Sequence, residues 1–257
     1  MEINRKADVY FSEETMFDLL NILIPVYNEA ENIKKLFFEI NRKVSTPYKI
    51  VIIYDSNEDN TLPVVRNIMR EQNNIKLIKN KYGRGVLNAI KTGFETISNG
   101  VVLVVMADLS DNLNEIDSMF RKINEGYDII CGSRYMKGGE QIGGPRIKKF
   151  LSRLAGVSLY FLTGIPTHDV TNSFKMYKKS VLDEIEIKSN GGFELGMEIV
   201  IKAFLKGYRI TEIPSIWRDR EKGKSKFKLW KWLPKYIYWY LFAIKNKIYN
   251  SRIKDTK

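Results

Sequence analysis

The segment Val-Val-Leu-Val-Val-Met-Ala-Asp-Leu-Ser-Asp at residues 101–111 determines which fold we expect for this chain. Its six consecutive apolar residues, four of them valine, suit a strand buried on both faces, as in a parallel sheet covered by helices. The run stops at Asp108, and ligands of open α/β sheets bind beyond the carboxyl ends of the strands. A carboxylate there can hold a divalent cation that holds a phosphate, or it can simply cap the following turn.

Strand-like and helix-like segments alternate on both sides of this run. We predict strands at 21–26, 49–54, 75–79 and 101–106, followed by helices at 29–43, 62–71, 85–98 and 114–126. Such alternation predicts a right-handed, doubly wound, mostly parallel sheet with helices on both faces. A strand-like run over 128–131 ends at Cys131. We then expect a loop over 132–145, helices at 146–163 and 194–207, and strands at 174–177 and 208–214.

The composition favours one globular domain, with or without an appendage, in a reducing compartment. A 257-residue chain with 44% hydrophobic residues can form one large domain or one domain with an appendage. A single cysteine cannot form an internal disulfide framework. Residues 1–18 do not resemble a signal peptide, and the apolar stretch 236–244 is far shorter than the roughly 20 residues of a membrane span.

The net charge of +12 is concentrated near the C-terminus. Residues 222–257 hold eleven of the 42 basic residues, one of the 30 acidic residues and three of the four tryptophans. Because the charge is confined to this end, we expect no nucleic-acid partner. We predict a domain over 1–228 and a basic, aromatic appendage over 229–257. The appendage is either an amphipathic helix at an anionic membrane surface or a terminal helix packed on the body.

Three acidic residues follow predicted strands at what should be one edge of the sheet. Glu29, Asp55 and Asp108 come after the first, second and fourth strands, which suggests a nucleotide pocket. Gly83-Arg84-Gly85 follows the third strand, and Asn88 stands where a dinucleotide fingerprint needs a third glycine. A tight turn is therefore the expected role of these glycines, and an NAD-dependent enzyme is disfavoured.

Eight motifs in order resemble the family 2 glycosyltransferases of GT-A fold. Five are Ile-Pro-Val-Tyr-Asn-Glu at 24–29, Asp55 with Asp59 and Thr61, Gly83-x-Gly85, Ala-Asp-Leu-Ser at 107–110, and Gly-Ser-Arg-Tyr at 132–135. Three more are similar to the polyprenyl (dolichyl) phosphate sugar transferases: Asp-Val-Thr-Asn-Ser-Phe-Lys at 169–175, Glu-Ile-Pro at 212–214, and Asp-Arg-x-x-Gly-x-Ser-Lys at 219–226. The resemblance covers about residues 21–228.

The resemblance implies a metal-dependent, inverting glycosyltransferase similar to dolichol-phosphate mannosyltransferases. Such an enzyme moves a hexose from a GDP- or UDP-sugar to a polyprenyl phosphate, at the inner face of the cell membrane, as a peripheral cytoplasmic protein. The acceptor phosphate, with a second pKa of about 6, is already a nucleophile at neutral pH. The alternatives are a related transferase acting on a polysaccharide or cell-surface glycan, and a binding module without catalysis.

The same resemblance implies a role for individual residues. The nucleoside is expected to contact Pro25, Tyr27, Glu29 and Asp55. Asp108 is expected to bind Mg²⁺ or Mn²⁺ at the donor diphosphate, with Arg220 and Lys226 closing over it. The acceptor phosphate is expected at Arg134, Lys148 and Ser152, and Glu198 near the transfer centre. His168 is either an acceptor contact or a plain loop histidine.

Two positions depart from the family pattern. Tyr54 replaces the first of two aspartates at the second strand end, and Met106 replaces the first aspartate of an Asp-x-Asp metal motif. We therefore expect weaker metal binding, or a coordination shell completed by the donor diphosphate and Asp111.

Overall fold

The computed structural model describes residues 19–220 and 229–255, within which nine strands and eight α-helices are formed. The strands are β1 (Leu20–Val26), β2 (Tyr48–Tyr54), β3 (Ile75–Lys79), β4 (Val101–Val104), β5 (Ile129–Ser133), β6 (Glu140–Ile142), β7 (Lys175–Lys178), β8 (Ile210–Pro214) and β9 (Ile216–Arg218). The helices are α1 (Ala30–Lys43), α2 (Thr61–Ile68), α3 (Val86–Thr96), α4 (Ile116–Asn124), α5 (Arg146–Thr163), α6 (Lys179–Glu184), α7 (Leu195–Leu205) and α8 (Leu229–Asp255).

Seven strands form the main sheet in the order β3-β2-β1-β4-β7-β5-β8. The first four are mutually parallel, β7 runs antiparallel to both of its neighbours, and β8 is parallel to β5. The α/β class with a mostly parallel sheet is therefore confirmed. Because β1, β2 and β4 run in the same direction, their carboxyl ends lie at one edge of the sheet.

Two apolar cores cover the two faces of the sheet. Along β4 the side chains alternate between them, with Val101 and Leu103 in the core beside α1 and α4, and Val102 and Val104 in the core beside α3 and α7. All four are at most 3% exposed, so the strand is buried on both faces as its valine-rich sequence predicts. Burial on this scale supplies most of the free energy that favours folding.

The differences from the sequence-based boundaries are concentrated in short elements. The fourth strand ends at Val104 rather than at residue 106, because the chain turns there and the Met106 amide donates to Asp111 Oδ2 (3.0 Å). The expected loop 132–145 contains β6, which pairs with β9 to form a separate two-stranded parallel sheet. A strand of three residues is too short to show a periodicity, so both strands were missed, as was the six-residue α6.

Helix α8 packs on the body by one side only. Trp239 and Ala243 are buried in the core, and the Tyr240 hydroxyl lies 2.9 Å from Ser158 Oγ of α5. The opposite side leaves Trp230, Ile237, Tyr238 and Leu241 exposed. Packing on the body is thus observed, and an exposed apolar side is also present. Among residues 19–220 and 229–255, no helix has the length and hydropathy of a membrane span.

Candidate functional site

The loop after β1 is held by the segment that follows β2. The Asn28 amide donates to Asp59 Oδ1 (3.0 Å), and the Glu29 amide donates to Thr61 Oγ1 (2.9 Å). Asn28 itself has φ +56°, a left-handed conformation that asparagine tolerates better than most residues. Two motifs distant in sequence are therefore joined at the carboxyl edge of the sheet. Glu29 Oε2 accepts from Asn32 Nδ2 at 2.7 Å.

The predicted nucleoside residues lie around this loop. Pro25 is in β1, and Tyr27, just after it, is 40% exposed at the sheet edge. Asp55 follows β2, and its two oxygens accept from Asn80 Nδ2 (2.8 Å) and from the Gly85 amide (2.9 Å). Asp55 thereby fixes the turn at Gly83 and Gly85, both at positive φ, as a tight turn requires. The structure brings these residues to one edge; their contact with a nucleoside stays a prediction.

Asn80 is a site residue that the sequence analysis missed. Besides contacting Asp55, its Nδ2 donates to the Gly83 carbonyl (2.6 Å), and its Oδ1 accepts from Thr92 Oγ1 (3.0 Å). It therefore connects the Asp55 carboxylate to α3. A lone asparagine after a strand is common in turns, so no sequence signal distinguished it.

Asp108 combines the two roles that the sequence left open. Its Oδ1 accepts from the Ser110 amide (3.2 Å), which caps the turn, and from Ser110 Oγ (2.6 Å). Its Oδ2 accepts from an Arg220 guanidinium NH2 at 2.6 Å. The two side chains are only 10% and 21% exposed, so this ion pair is partly desolvated. The motifs at 107–110 and 219–220 are thus in contact across the site. Lys226 lies outside the described residues.

Asp111 is a second carboxylate beside Asp108. Burial raises its pKa to about 7, the hydrogen bond from the Met106 amide opposes that shift, and the charge of Asp108 adds to it. Carboxylate oxygens suit Mg²⁺ and Mn²⁺. In the described part of the chain, no cluster of three or more acidic, histidine or cysteine side chains could hold a metal ion. Since Mg²⁺ is often bound by one or two carboxylates together with substrate phosphates, this pair fits a cation that a diphosphate helps to hold.

Arg134 is held by a buried carboxylate. Its Nε donates to Asp169 Oδ2 (2.6 Å) and its NH2 donates to Oδ1 (2.9 Å), a bidentate pair, and NH2 also donates to Thr171 Oγ1 (3.1 Å). Burial acts to raise the pKa of Asp169, but the Arg134 guanidinium and amide, together with the charge of Lys175, outweigh it and hold that pKa below its usual value. The motifs at 132–135 and 169–175 are therefore joined by this pair.

The predicted acceptor-phosphate residues lie along and beside the first half of α5. A cleft of about 260 Å³ is lined by Arg134, Tyr135, Met136, Gly139, Glu140, Gln141, Lys149 and Arg153. Ser152 Oγ contacts the Tyr135 hydroxyl at its wall. Lys148 is adjacent but lies towards the Asp108 site: burial lowers its pKa, Asp219 opposes the shift and Arg220 adds to it. Lys149 and Arg153 were not predicted, although their i, i+4 spacing on α5 could have indicated them.

Glu198 and His168 have well-defined protein partners. Glu198 is fully buried in α7, where its oxygens accept from the amides of Lys188 (2.6 Å) and Ser189 (2.7 Å) and contact Lys202 Nζ (2.5 Å). The predicted role of Glu198 near the transfer centre stays a prediction. His168 Nδ1 lies 2.5 Å from Glu212 Oε1, and its ring stacks on Tyr160.

Comparison with known proteins adds a family and several relatives. Residues 21–186 match the sequence model of Glycosyl transferase family 2. A dolichol-phosphate mannosyltransferase of Pyrococcus furiosus is 30% identical over 81% of this chain, which spans 59% of that protein's length. A polyprenol monophosphomannose synthase of Mycolicibacterium smegmatis is 26% identical over 80% of this chain and 79% of the relative. A dolichyl-phosphate hexose transferase of Haloferax volcanii is 28% identical over 83% and 88%.

Solved structures support the same fold. Glucosyl-3-phosphoglycerate synthase from Mycobacterium tuberculosis, in complex with Mn²⁺, UDP and phosphoglyceric acid, matches with a TM-score of 0.68 at 13% identity, over 90% of this chain and 80% of that one. S. aureus TarS 1–349 matches with a TM-score of 0.56 at 20% identity, over 77% and 60%. At these identities the likeness concerns the fold alone, and it confirms the predicted GT-A class.

Proposed function

This chain belongs to glycosyl transferase family 2, and from that membership we propose that it transfers a hexose from a nucleoside-diphosphate sugar to a polyprenyl phosphate lipid. The observation that carries the proposal is the adjacency of two differently charged sites. Carboxylates at the strand ends, with Arg220 across them, lie next to a cation-lined cleft on α5, and Lys148 lies between the two. A diphosphate donor suits the first site, where a cation can join it to the carboxylates, and a phosphate acceptor suits the cation-lined cleft. The names of the three relatives agree with it.

On the donor side, we assign the nucleoside to Pro25, Tyr27, Glu29 and Asp55. Asp55 is held in place by Asn80 and the Gly85 amide, so its carboxylate is oriented before a ligand arrives. Arg220 is well suited to the diphosphate because a guanidinium can form paired hydrogen bonds with phosphate oxygens.

Asp108, assisted by Asp111, is the proposed holder of Mg²⁺ or Mn²⁺. A divalent cation bound there supplies positive charge that offsets the charge developing on the leaving nucleoside diphosphate. Because Asp108 is paired with Arg220 in the described structure, the donor diphosphate would take over that guanidinium and leave the carboxylate oxygen for the cation. Metal binding should therefore depend on the donor.

On the acceptor side, the cleft beside α5 is the proposed phosphate site. Arg134 lines it while bound to Asp169, and Ser152 lies at its wall. A phosphate monoester is mostly doubly ionised at neutral pH and can attack the anomeric carbon without a strong protein base. Attack from the side opposite the leaving diphosphate inverts that carbon. We place the reaction at the cytoplasmic face of the membrane, where such a lipid exposes its phosphate.

The direct test combines a donor panel with an acceptor comparison. GDP- and UDP-hexoses are assayed with Mn²⁺ against a polyprenyl phosphate and, with the same donor, against soluble glycans. Transfer to the lipid phosphate, lost in Asp108→Ala but kept in the remote surface variant Asp183→Asn, supports the proposal. Transfer to glycan alone would assign the chain to the related class of polysaccharide-modifying enzymes, and full activity of Asp108→Ala would remove the proposed metal site.

A further inference from the structure

A carboxylate on β8 that the proposed reaction does not use holds residues 167–169, called the 167–169 segment below. Glu212 Oε2 accepts from the His168 amide (2.7 Å) and from Thr167 Oγ1 (3.1 Å), and Glu212 Oε1 lies 2.5 Å from His168 Nδ1. The Glu212 side chain is only 10% exposed, and hydrogen bonds are stronger where water is largely excluded. One carboxylate thereby fixes the two residues that precede Asp169.

The hydroxyl of Thr167 extends this constraint to Asp169. Thr167 is fully buried, and its Oγ1 donates to Glu212 and accepts from the Asp169 amide (3.1 Å). Asp169 in turn accepts from the amide of Arg134 (3.1 Å) and from its guanidinium (2.6 and 2.9 Å). A continuous series of hydrogen bonds therefore connects Glu212 to the guanidinium that lines the acceptor cleft.

Helix α5 confines the same segment from the other side. A Cβ atom on Gly156 would overlap the carbonyl oxygen of His168, so the helix backbone packs directly against the segment, as only glycine allows. One turn further along α5, the ring of Tyr160 stacks on the His168 ring with the centroids 3.9 Å apart. The segment is thus held between α5 and β8, and it has little freedom to move Asp169.

The orientation of Arg134 matters because a guanidinium binds phosphate through a rigid, planar set of donors. Its Nε and NH2 both face Asp169, so the plane of the guanidinium follows that of the Asp169 carboxylate. Misplacing a substrate-binding group by about 1 Å can cost about a hundredfold in rate. Contacts that fix Asp169 are therefore expected to influence how well Arg134 binds a phosphate.

We infer that Glu212 is a positioning residue for the acceptor phosphate: through the 167–169 segment it fixes the orientation of Arg134. This role rests on the proposed lipid-phosphate acceptor. It gives His168 a supporting position behind the cleft instead of a contact with the acceptor. A residue that only stabilised the segment would change the free energy of unfolding and leave the affinity for the acceptor unchanged.

The test is equilibrium binding of geranyl phosphate, a short prenyl phosphate, to the full chain without donor, measured by calorimetry. Glu212→Ala removes all three contacts to the segment. Thr167→Val keeps the shape of the side chain but breaks the link to Asp169, so it serves if Glu212→Ala does not fold. We expect each variant to weaken binding about tenfold. In steady-state kinetics the KM for the acceptor should rise, while the KM for the donor stays within about twofold of wild type.

A matched control is Asp117→Ala. Asp117 is also a carboxylate that holds a loop, since it accepts from the amides of Ser45 and Thr46 at 3.0 Å each. These two residues precede β2, at the edge of the sheet opposite the cleft. The control should bind geranyl phosphate like wild type. Thermal unfolding of every variant verifies folding.

Two outcomes would overturn the inference. Folded Glu212→Ala and Thr167→Val could both bind geranyl phosphate as tightly as wild type, or Asp117→Ala could weaken binding as much as they do. Because binding needs no turnover, a weakening specific to the two variants supports the positioning role even if wild type transfers no hexose to polyprenyl phosphate. Conversely, transfer by wild type together with equal binding in all variants would retain the proposed function and remove the role of Glu212.

Discussion

Replacing Arg134 by methionine should expose how strongly the buried Asp169 depends on its guanidinium. Asp169 is fully buried, and Arg134 supplies its two shortest side-chain contacts, at 2.6 and 2.9 Å. The remaining partners are hydrogen-bond donors without charge: the Arg134 and Asn172 amides and the Thr171 hydroxyl. The fully buried Lys175 also lowers the pKa of Asp169, but it contributes less than Arg134. Arg134→Met therefore leaves a buried carboxylate without its paired guanidinium, which costs about 3–5 kcal/mol of unfolding free energy.

The double variant Arg134→Met/Asp169→Asn separates the stranded charge from lost packing. Asparagine keeps an oxygen for the Asn172 amide but carries no charge, so this variant should be more stable than Arg134→Met alone, at a total cost of about 1–3 kcal/mol. A matched control is Lys178→Met. Lys178 pairs with Asp128 at 3.0 Å, but both side chains are partly exposed, so its loss should cost below about 1 kcal/mol.

Urea unfolding followed by circular dichroism measures these differences, with the slopes compared to verify two-state behaviour. In wild type the pKa of Asp169 is lowered, so its stabilising contribution is lost only as pH falls through that lowered value. In Arg134→Met the burial that acts to raise this pKa loses its main opposing cause, so the cost of the variant should be smaller at pH 5 than at pH 7. Asp169 does not depend on the Arg134 charge if Arg134→Met costs no more than Lys178→Met, or if the double variant is no more stable than the single one.

Three further predictions concern other carboxylates and Arg220. Burial raises the pKa of Asp111 to about 7, so the folded protein binds a proton that the unfolded chain releases between about pH 4 and 7. The free energy of unfolding in metal-free buffer should therefore fall as pH rises over this range. Urea titrations at several pH values would measure that slope, and Asp111→Asn should flatten it. Glu198→Gln should lower the melting temperature, because it weakens the contacts to the Lys188 and Ser189 amides and to Lys202 Nζ. At low temperature kcat should stay near wild type. A large loss of kcat in a stable variant would instead support the predicted catalytic role. Arg220→Lys keeps the charge but loses the planar fork, so the KM for donor should rise more than in the control Arg218→Lys, measured by steady-state kinetics; equal KM values would contradict the diphosphate role.

The repeated strand–helix pattern was readable because each unit carries its own periodicity. The valine-rich run at β4 and the apolar spacing of α1 predict burial on local grounds, and those boundaries agree within one or two residues. The parallel direction of β1, β2 and β4 then places Glu29, Asp55 and Asp108 at one edge. The predicted sheet topology was therefore sufficient to place these three acidic residues together.

The contacts that complete the site are long-range, and local sequence patterns do not predict them. Arg220 reaches Asp108 across 112 positions, and β6 pairs with β9 although each has only three residues. The cationic cleft depends on how α5 is rotated on the body, which placed Lys149 and Arg153 in its lining beside Arg134. Lys148 is instead oriented towards Asp219 and Arg220. Consecutive residues of a helix point in different directions, so Lys148 and Lys149 face different sites.

The proposed function is tested most sharply by whether a divalent cation strengthens donor binding through Asp108. Thermal shift or calorimetry would compare GDP- and UDP-hexoses with and without Mn²⁺, in wild type, Asp108→Asn and the remote control Asp183→Asn. At a donor concentration 100 times its Kd, binding should stabilise wild type by about 2.7 kcal/mol. We expect Mn²⁺ alone to have little effect on stability. In wild type and in the control, Mn²⁺ should tighten donor binding, and this increment should disappear in Asp108→Asn. An unchanged Mn²⁺ increment in Asp108→Asn would show that Asp108 does not hold the cation.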